Sequence, residues 1–295
     1  MIDNLSWTNE IMNAKNLDTD YLRQWIGNKE TIEETISAEP LLRMAATLDR
    51  EPRNIVTGDE VPALWHWAYF LTPARASELG RDGHAALGDF MPPVPLPRRM
   101  WAGGKLDFIQ PLRVGDLARK ESSIRDVTLK QGRTGRLCFV EVEHRIFVGE
   151  ELRFSETHNI VYRDAQQAGE DTVLPPKAPN DRQWTREVTP NSTLLFRYSA
   201  LTFNGHRIHY DLDFCRHQEG YPGLVFHGPL TVTLLLELAM ENNPGRSLKS
   251  CEFRAYSPLF DNAPFTLNGK MDHSKAEMWA ANPDNRLAMK ASISF

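Results

Sequence analysis

The chain has 295 residues, 41% hydrophobic and 25% charged, with a net charge of −5. That balance fits a globular protein with room for one large domain or two ordinary ones. It shows no basic footprint for nucleic acid and no apolar run long enough to span a bilayer, so neither nucleic acid nor membrane is expected as a partner.

The opening MIDNLSWTNEIMNAKN is acidic and polar and lacks the pattern of a signal or transit peptide. Cys138, Cys215 and Cys251 are far apart, without CxxC spacing, so no disulfide framework and no zinc site is expected. A reduced, cytoplasmic protein is the expectation. Residues 1–50 read as helical, with apolar positions at Tyr21, Leu22, Trp25 and Ile26, then Ile32, Leu41, Leu42 and Met44, interrupted at Ser37–Pro40. Pro62 opens a dense apolar run through Trp65, Trp67, Tyr69 and Phe70, which predicts a buried helix. Residues 75–100 form a long Gly/Pro-rich connection containing MPPVPLPRR, and a connection of that length is usually functional or flexible. Strands are predicted near 101–109, 117–129, 136–148 and 152–163, separated by glycine turns. The polar, Pro-rich stretch 164–183 reads as a linker.

The second half begins with the stretch richest in chemistry. FRYSALTFNGHRIHYDLDFCRHQEGYPGLVFHGPL (196–230) carries His206, His209, His217 and His227, four of the nine histidines, with an Asn-Gly and a Tyr-Pro-Gly turn. A helical pattern follows through Leu230, Leu234, Leu235, Leu238 and Ala239, and Asn242-Asn243-Pro244-Gly245 ends it. Titratable groups thus stand on irregular backbone just ahead of a helix N-terminus, whose unpaired N–H groups and partial positive charge suit polarising a carbonyl beside a general base. Strands are predicted near 248–257, 264–273, 276–282 and 286–294. Gln110-Pro111-Leu112 and Ser257-Pro258-Leu259 follow corresponding strands of the two halves, a faint echo of duplication. Each half reads as a helix followed by antiparallel strands, an α+β layering.

The residues FNGHRIHYD and EGYPGLVFHGPLT resemble the MaoC-like hydratase/dehydratase group in its fused, two-hot-dog form. The resemblance is strong over 195–240 and weaker elsewhere. It implies a tandem (double) hot-dog of class α+β, each half a long central helix wrapped by a curved antiparallel sheet. The domains expected are a degenerate hot-dog with a helical extension over 1–165, a linker over 166–184, and a catalytic hot-dog over 185–295. The family's catalytic histidine falls on His209 and the aspartate after it on Asp211, and its His-Gly pair falls on His227 and Gly228. The family's catalytic aspartate falls on Asn204 and its asparagine on His206, a departure that removes the usual second acid/base group. The variant is similar to a subgroup containing mitochondrial-type 3-hydroxyacyl-thioester dehydratases and bacterial hydratases of branched C5-dicarboxylyl-CoA thioesters. The first half has no histidine motif, and no catalysis is assigned to it.

The activity implied is reversible hydration of the C=C of a short branched dicarboxylyl enoyl-CoA, mesaconyl-C4-CoA (3-methylfumaryl-CoA) or itaconyl-CoA, giving citramalyl-CoA. Three catalytic residues are expected: His209 as base, Asn204 as water-positioning amide and Gly228 as backbone oxyanion donor. A turn asparagine and a glycine kept for close helix–sheet packing are the plainer readings of the last two. His206, His227, Tyr221 and Gly223 are substrate-binding candidates, the histidines equally readable as structural. A free substrate carboxylate calls for an arginine, and Arg98, Arg99, Arg197 and Arg207 are the candidates. No metal or other cofactor is expected, since the substrate carries its own CoA, and the chain is expected as a monomer of two fused hot-dogs or a homodimer. The alternatives are an (R)-3-hydroxyacyl-thioester dehydratase of fatty acyl chains, a hot-dog thioesterase, with Glu237 as the carboxylate inside the helical run, and a non-catalytic acyl-CoA-binding subunit.

Overall fold

The computed structural model describes residues 17–51, 54–132, 135–164 and 174–295. The helical reading of 1–16 and the centre of the proposed linker, 165–173, lie outside the described residues. Strands β1 (Lys29–Thr35), β2 (Arg98–Phe108), β3 (Leu117–Gly132), β4 (Gly135–Val148) and β5 (Glu151–Arg163) belong to the first half. Strands β6 (Trp184–Val188), β7 (Ser250–Ala255), β8 (Phe265–Asp272), β9 (Lys275–Ala281) and β10 (Leu287–Ser294) belong to the second. All ten form one antiparallel sheet in the order β1-β3-β4-β5-β2-β7-β10-β9-β8-β6. Each half therefore repeats one internal order, first-third-fourth-fifth-second, and the halves join where the two second strands pair, Gly103 opposite Arg254 through Asp107 opposite Ser250. The Gln-Pro-Leu and Ser-Pro-Leu echoes follow those two equivalent strands. The fold is the α+β tandem hot-dog that the sequence resembles.

The second half keeps its long helix. Gly228–Glu241 runs against the inner face of β7–β10, with Leu230, Leu235, Leu236, Leu238 and Ala239 buried. A helix apolar on nearly every side is one that the sheet must enclose. Its last turn is closed by the side chains of Asn242 and Asn243, which donate to Leu238 O and Ala239 O at 2.8 and 2.9 Å. Among the described residues no helix is long and apolar enough to cross a membrane.

The first half departs from the sequence expectation in its helix. Residues 62–70 form no α-helix but a 3-10 turn at Trp65–Ala68, bracketed by Leu64 and Phe70 in left-handed backbone (φ 70 and 54). Aromatic residues are mediocre helix formers, and tertiary hydrogen bonds settle the matter. Trp65 Nε1 donates to Glu237, and Trp67 Nε1 donates to Glu156 at 3.0 Å, so the two indoles reach partners in different halves of the chain. The helical reading of 1–50 is likewise corrected over its described part: among residues 17–50 only Thr19–Arg23 and Glu39–Thr47 are α-helical, and Lys29–Thr35 between them is an edge strand. The sequence reading also passed over β6 and the helix Ser192–Leu201.

Candidate active site

The histidine stretch folds as a series of tight turns. The Ser192–Leu201 helix, capped by Asn191, ends at Thr202, Phe203 turns the chain at φ 49, and the Asn204 side chain accepts His206 N–H at 3.0 Å. A 3-10 turn at Arg207–His209 follows, and Asp211 then caps the next turn by accepting Phe214 N–H at 2.9 Å. The chain returns through residues 224–226, pinned by Val225 N–H to Ile208 O and Phe226 N–H to Leu259 O, and enters the central helix at Gly228.

His209 is buried, and its Nδ1 lies 2.7 Å from Val225 O. A carbonyl only accepts, so Nδ1 carries the proton and Nε2 keeps its lone pair. Burial, then the neighbouring His206 and His84, lower its pKa to about 3, against a smaller rise from the Val225 carbonyl. The ring is therefore neutral near pH 7, the form a base needs. His227 stacks on it, ring centroids 3.6 Å apart, with Nε2 on Ser199 Oγ at 2.9 Å and Nδ1 buried without a partner. Burial, then His209, push the His227 pKa well down. His206 stands edge-on to His209 at 5.6 Å, its pKa lowered to about 3 by burial, then His84, Arg99 and His227, against Asp82.

Gly228 is the first residue of the central helix, with Pro229 next, so its N–H has no intrahelical carbonyl to reach. A Cβ placed there would come no closer than 3.9 Å to Met289 Cε, so packing does not demand a glycine. Asn204 has its side-chain oxygen committed to the turn, which leaves the amide NH₂ as its free end.

The four arginine candidates separate clearly. Arg207 is clamped on Asp211 at 3.0 and 2.7 Å and on Arg81 O at 3.2 Å, with its guanidinium over Phe214. Arg98 is buried against Glu219, with Nε 3.0 Å from the carboxylate. Arg197 is exposed and reaches Ala46 O, away from the histidines. Arg99 has no carboxylate within 4.0 Å among the described residues and stands close enough to His84 and His206 to lower both pKa values. It lines two cavities, of about 290 Å³ with Asp82, His84 and Tyr162, and about 280 Å³ with Lys120, His144, Glu156 and His158. Tyr221 and Gly223 line neither; Gly223 lets the chain pass Asp261, which accepts Leu224 N–H at 2.8 Å.

The sequence reading missed Asp82 and His84, which arrive from the 75–100 connection: His84 Nδ1 donates to Asp82 at 2.9 Å, and the His84 ring lies 4.3 Å from that of His206. Two donor groups are compact enough to consider for a metal, Asp82/His84/His206 and His144/Glu156/His158. In the first, Asp82 and His84 aim at each other as a hydrogen-bonded pair; in the second, Glu156 is hydrogen-bonded by His66 at 3.1 Å and His144 Nδ1 lies 2.8 Å from Ser122 Oγ, while His158 Nε2 is buried without a hydrogen-bond partner among the described residues. Burial raises the pKa of Cys138, Cys215 and Cys251 to about 12, 11 and 12, which leaves no thiolate nucleophile among them.

The sequence profile of the hydroxyacyl-thioester dehydratase type 2 family matches residues 64–261. The chain belongs to this family. A relative described as mesaconyl-C(4)-CoA hydratase, from Chloroflexus aurantiacus, is 44% identical over 270 residues, covering 91% of this chain and 96% of the relative. The mitochondrial hydroxyacyl-thioester dehydratase type 2 of Schizosaccharomyces pombe is 28% identical, covering 81% and 89%. Among solved structures, a MaoC-like dehydratase from Phytophthora capsici superposes with a TM-score of 0.63 at 13% identity, over 95% of this chain and 99% of that one, a likeness of fold. The family match begins at Leu64, so it includes the first-half connection that carries Asp82, His84 and Arg99.

Proposed function

We propose that this member of the family is a hydro-lyase that adds water reversibly across the double bond of mesaconyl-C4-CoA to give citramalyl-CoA. The observation that carries the substrate class is Arg99, the candidate arginine without a carboxylate partner, placed against the histidine cluster and a cavity. Its guanidinium fork suits the free carboxylate that a dicarboxylyl thioester presents one bond from the carbon to be hydrated.

The chemistry follows from the residues in place. His209 Nε2 takes a proton from water as the oxygen bonds to Cβ. The π pair moves toward the thioester, where the Gly228 N–H at the positive end of the central helix holds the enolate-like oxygen. A proton added at Cα completes the addition. Asn204 donates through its amide NH₂ to the attacking water. No metal or redox group enters this scheme, and CoA comes with the substrate. Both units of the fold lie in one chain, so the site needs no second copy.

The competing readings meet specific obstacles. A long fatty acyl chain needs an uninterrupted apolar tunnel, but the first-half cavity, though lined in part by Trp67, Phe70, Phe90, Met91 and Ile160, also carries Lys120, His144, His158 and the ionised, buried Glu156. A thioesterase carboxylate on the helix is spoken for: Glu237 is paired with Arg50 at 2.5 Å. A binding subunit has no use for an imidazole fixed in its basic tautomer. The test is loss of the enoyl-thioester absorbance with mesaconyl-C4-CoA and crotonyl-CoA side by side, on wild type and His209→Ala. Hydration of the dicarboxylyl substrate by wild type alone supports the reading. Free thiol without water addition, or no change with either substrate, sinks it.

A further inference from the structure

Hydration needs a proton donor as well as a base, and Asn204 stands where the resemblance places a carboxylate. The carboxylate that does reach the histidine cluster comes from the other half of the chain. Asp82 lies on the loop 80–86; its Oδ2 accepts His84 Nδ1–H at 2.9 Å and is 3.9 Å from His206 Nε2. The imidazoles form a row, with His84 4.3 Å from His206 and His206 5.6 Å from His209 between ring centroids. His209 is 7% exposed and lines neither cavity described above, whereas His84 lines the cavity that Arg99 also lines.

Backbone contacts fix this placement independently of the ion pair. Arg207 N–H donates to Asp82 O at 2.8 Å, and the Arg207 guanidinium to Arg81 O at 3.2 Å. Within the loop, Gly80 N–H donates to His84 O at 2.7 Å and Gly83 N–H to Gly80 O at 3.0 Å. Gly83 has φ +89, and a Cβ on it would run into Gly205 O. The Asp-Gly-His of the first half thus meets the Asn-Gly-His of the second glycine to glycine, which no other residue pair permits.

We propose that the Asp82–His84 pair is the second acid/base group of this site, delivered by the half of the chain that carries no histidine motif of its own. The proposal rests on the hydratase reading above. In the hydration direction, water loses a proton to His209 Nε2 as its oxygen bonds to Cβ, and the π pair moves to Cα and the thioester. The N–H of protonated His84 then breaks as Cα–H forms. His209 ends with one proton more and His84 with one fewer, and the proton returns along the row through His206. Asp82 remains a carboxylate throughout and offsets the charge of the His84 imidazolium, so the net change is one water added.

The groups facing His84 give the donor a substrate-dependent state. Burial holds the His84 pKa below its ordinary value, with the Asp82 carboxylate working against that shift and Arg99 adding to it. A substrate carboxylate seated on Arg99 cancels that cation, so His84 holds its proton best when a dicarboxylyl thioester is bound. Specificity then shows in kcat as well as KM.

The experiment is the pH dependence of kcat and KM for mesaconyl-C4-CoA, with wild type, His84→Gln and Asp82→Asn, folding being checked by circular dichroism. His84→Gln is expected to lower kcat about 10²- to 10⁴-fold, the usual worth of a positioned proton donor, with KM little changed. Asp82→Asn removes the charge that favours imidazolium, so the limb on which activity falls with rising pH moves to lower pH. A purely structural role moves no such limb. Wild-type kcat in His84→Gln, or an unshifted limb in Asp82→Asn, overturns the proposal. If His84→Gln fails to fold, the near-isosteric Asp82→Asn decides alone. Active wild type with unchanged variants removes only the pair; wild type inactive on both mesaconyl-C4-CoA and crotonyl-CoA removes the hydratase reading and the pair with it.

Discussion

Replacing Arg99 by leucine isolates the substrate carboxylate from everything else in the site. Arg99 is half-buried on β2, holds no ion pair within 4.0 Å among the described residues, and reaches the cavity that His84 lines. Its removal therefore breaks no internal ion pair of the described fold. What it removes is the partner of the substrate's charge. Truncating one side of a hydrogen-bonded charge pair costs about 2–5 kcal/mol when the pair is buried, and a half-exposed site takes the lower part of that range, about 2–3 kcal/mol. At about 1.36 kcal/mol per factor of ten, kcat/KM for mesaconyl-C4-CoA falls roughly 30- to 150-fold. Crotonyl-CoA has no carboxylate to lose, so its rate stays level, or rises as the cation facing His84 disappears. The assay is enoyl-thioester absorbance with both substrates on both proteins. An equal loss on both substrates shows damage to the fold rather than to recognition. A loss on mesaconyl-C4-CoA within about threefold, close to the effect of an ordinary surface substitution, refutes the assignment of the carboxylate to Arg99.

Gly228→Ala keeps the backbone N–H and meets only Met289 Cε at 3.9 Å, so thermal stability holds or rises slightly while kcat falls about tenfold or more if the thioester oxygen lies against this backbone; unchanged kcat removes that role. Asn204→Asp preserves the acceptor for His206 N–H, so the variant folds and retains activity if Asn204 only positions water; kinetics showing complete loss count against that role. Chain-length profiling is expected to favour C4–C5 dicarboxylyl thioesters over enoyl-CoA of C8 or longer, because added methylenes entering the first-half cavity meet the buried Glu156 carboxylate and Lys120 among its apolar side chains, and faster turnover of the long chains refutes this. Stability responds to acid in a defined window. His206 and His209 have folded pKa values of about 3 against 6.5 when unfolded, so their contribution is complete above about pH 6.5 and declines as pH falls toward 3. Calorimetry should show Tm dropping between about pH 6.5 and 4.5, above the range where most carboxylates titrate, and a flat Tm there contradicts the buried neutral histidines.

The sequence made the sheet legible and left the first half's interior obscure, for reasons visible in particular residues. Strands β2–β5 and β7–β10 follow their predicted runs closely because β-branched and aromatic runs of 6–16 residues between turns leave few other structures. The missed strands are the outer ones. β1 (KETIEET) and β6 (WTREV) alternate between exposed and half-buried residues without one fully buried position, so neither displays the apolar period that marks a strand. Apolar density over 62–70 resembles a buried helix because periodicity does not distinguish such a helix from a turn whose aromatic side chains are all buried. What decides is the partner: Glu156 and Glu237, 89 and 172 residues away, take the indole N–H groups of Trp67 and Trp65.

The site divides the same way. His209, His227, Gly228 and Asn204 lie within one stretch of chain, and their motif, their order and the helix that follows were legible together. Arg99 was a candidate on charge alone, whereas Asp82 and His84 lie in a Gly/Pro-rich connection with no period and no motif, where a single Asp-Gly-His has no distinguishing spacing. The signal available was physical rather than patterned: a departure that replaces a carboxylate by Asn204 requires another group for the second proton, and a 26-residue connection with little regular structure is a place from which one can come. Duplication explains why the group arrives from the other half. Without a long central helix, the first half has space above its sheet, and the connection that fills that space ends beside β2, next to the second half's histidines. The absence of a long helix in one hot-dog and of a carboxylate at Asn204 in the other then fit together: the loop from the first half brings Asp82 within 3.9 Å of His206 Nε2, two residues from Asn204 in the chain.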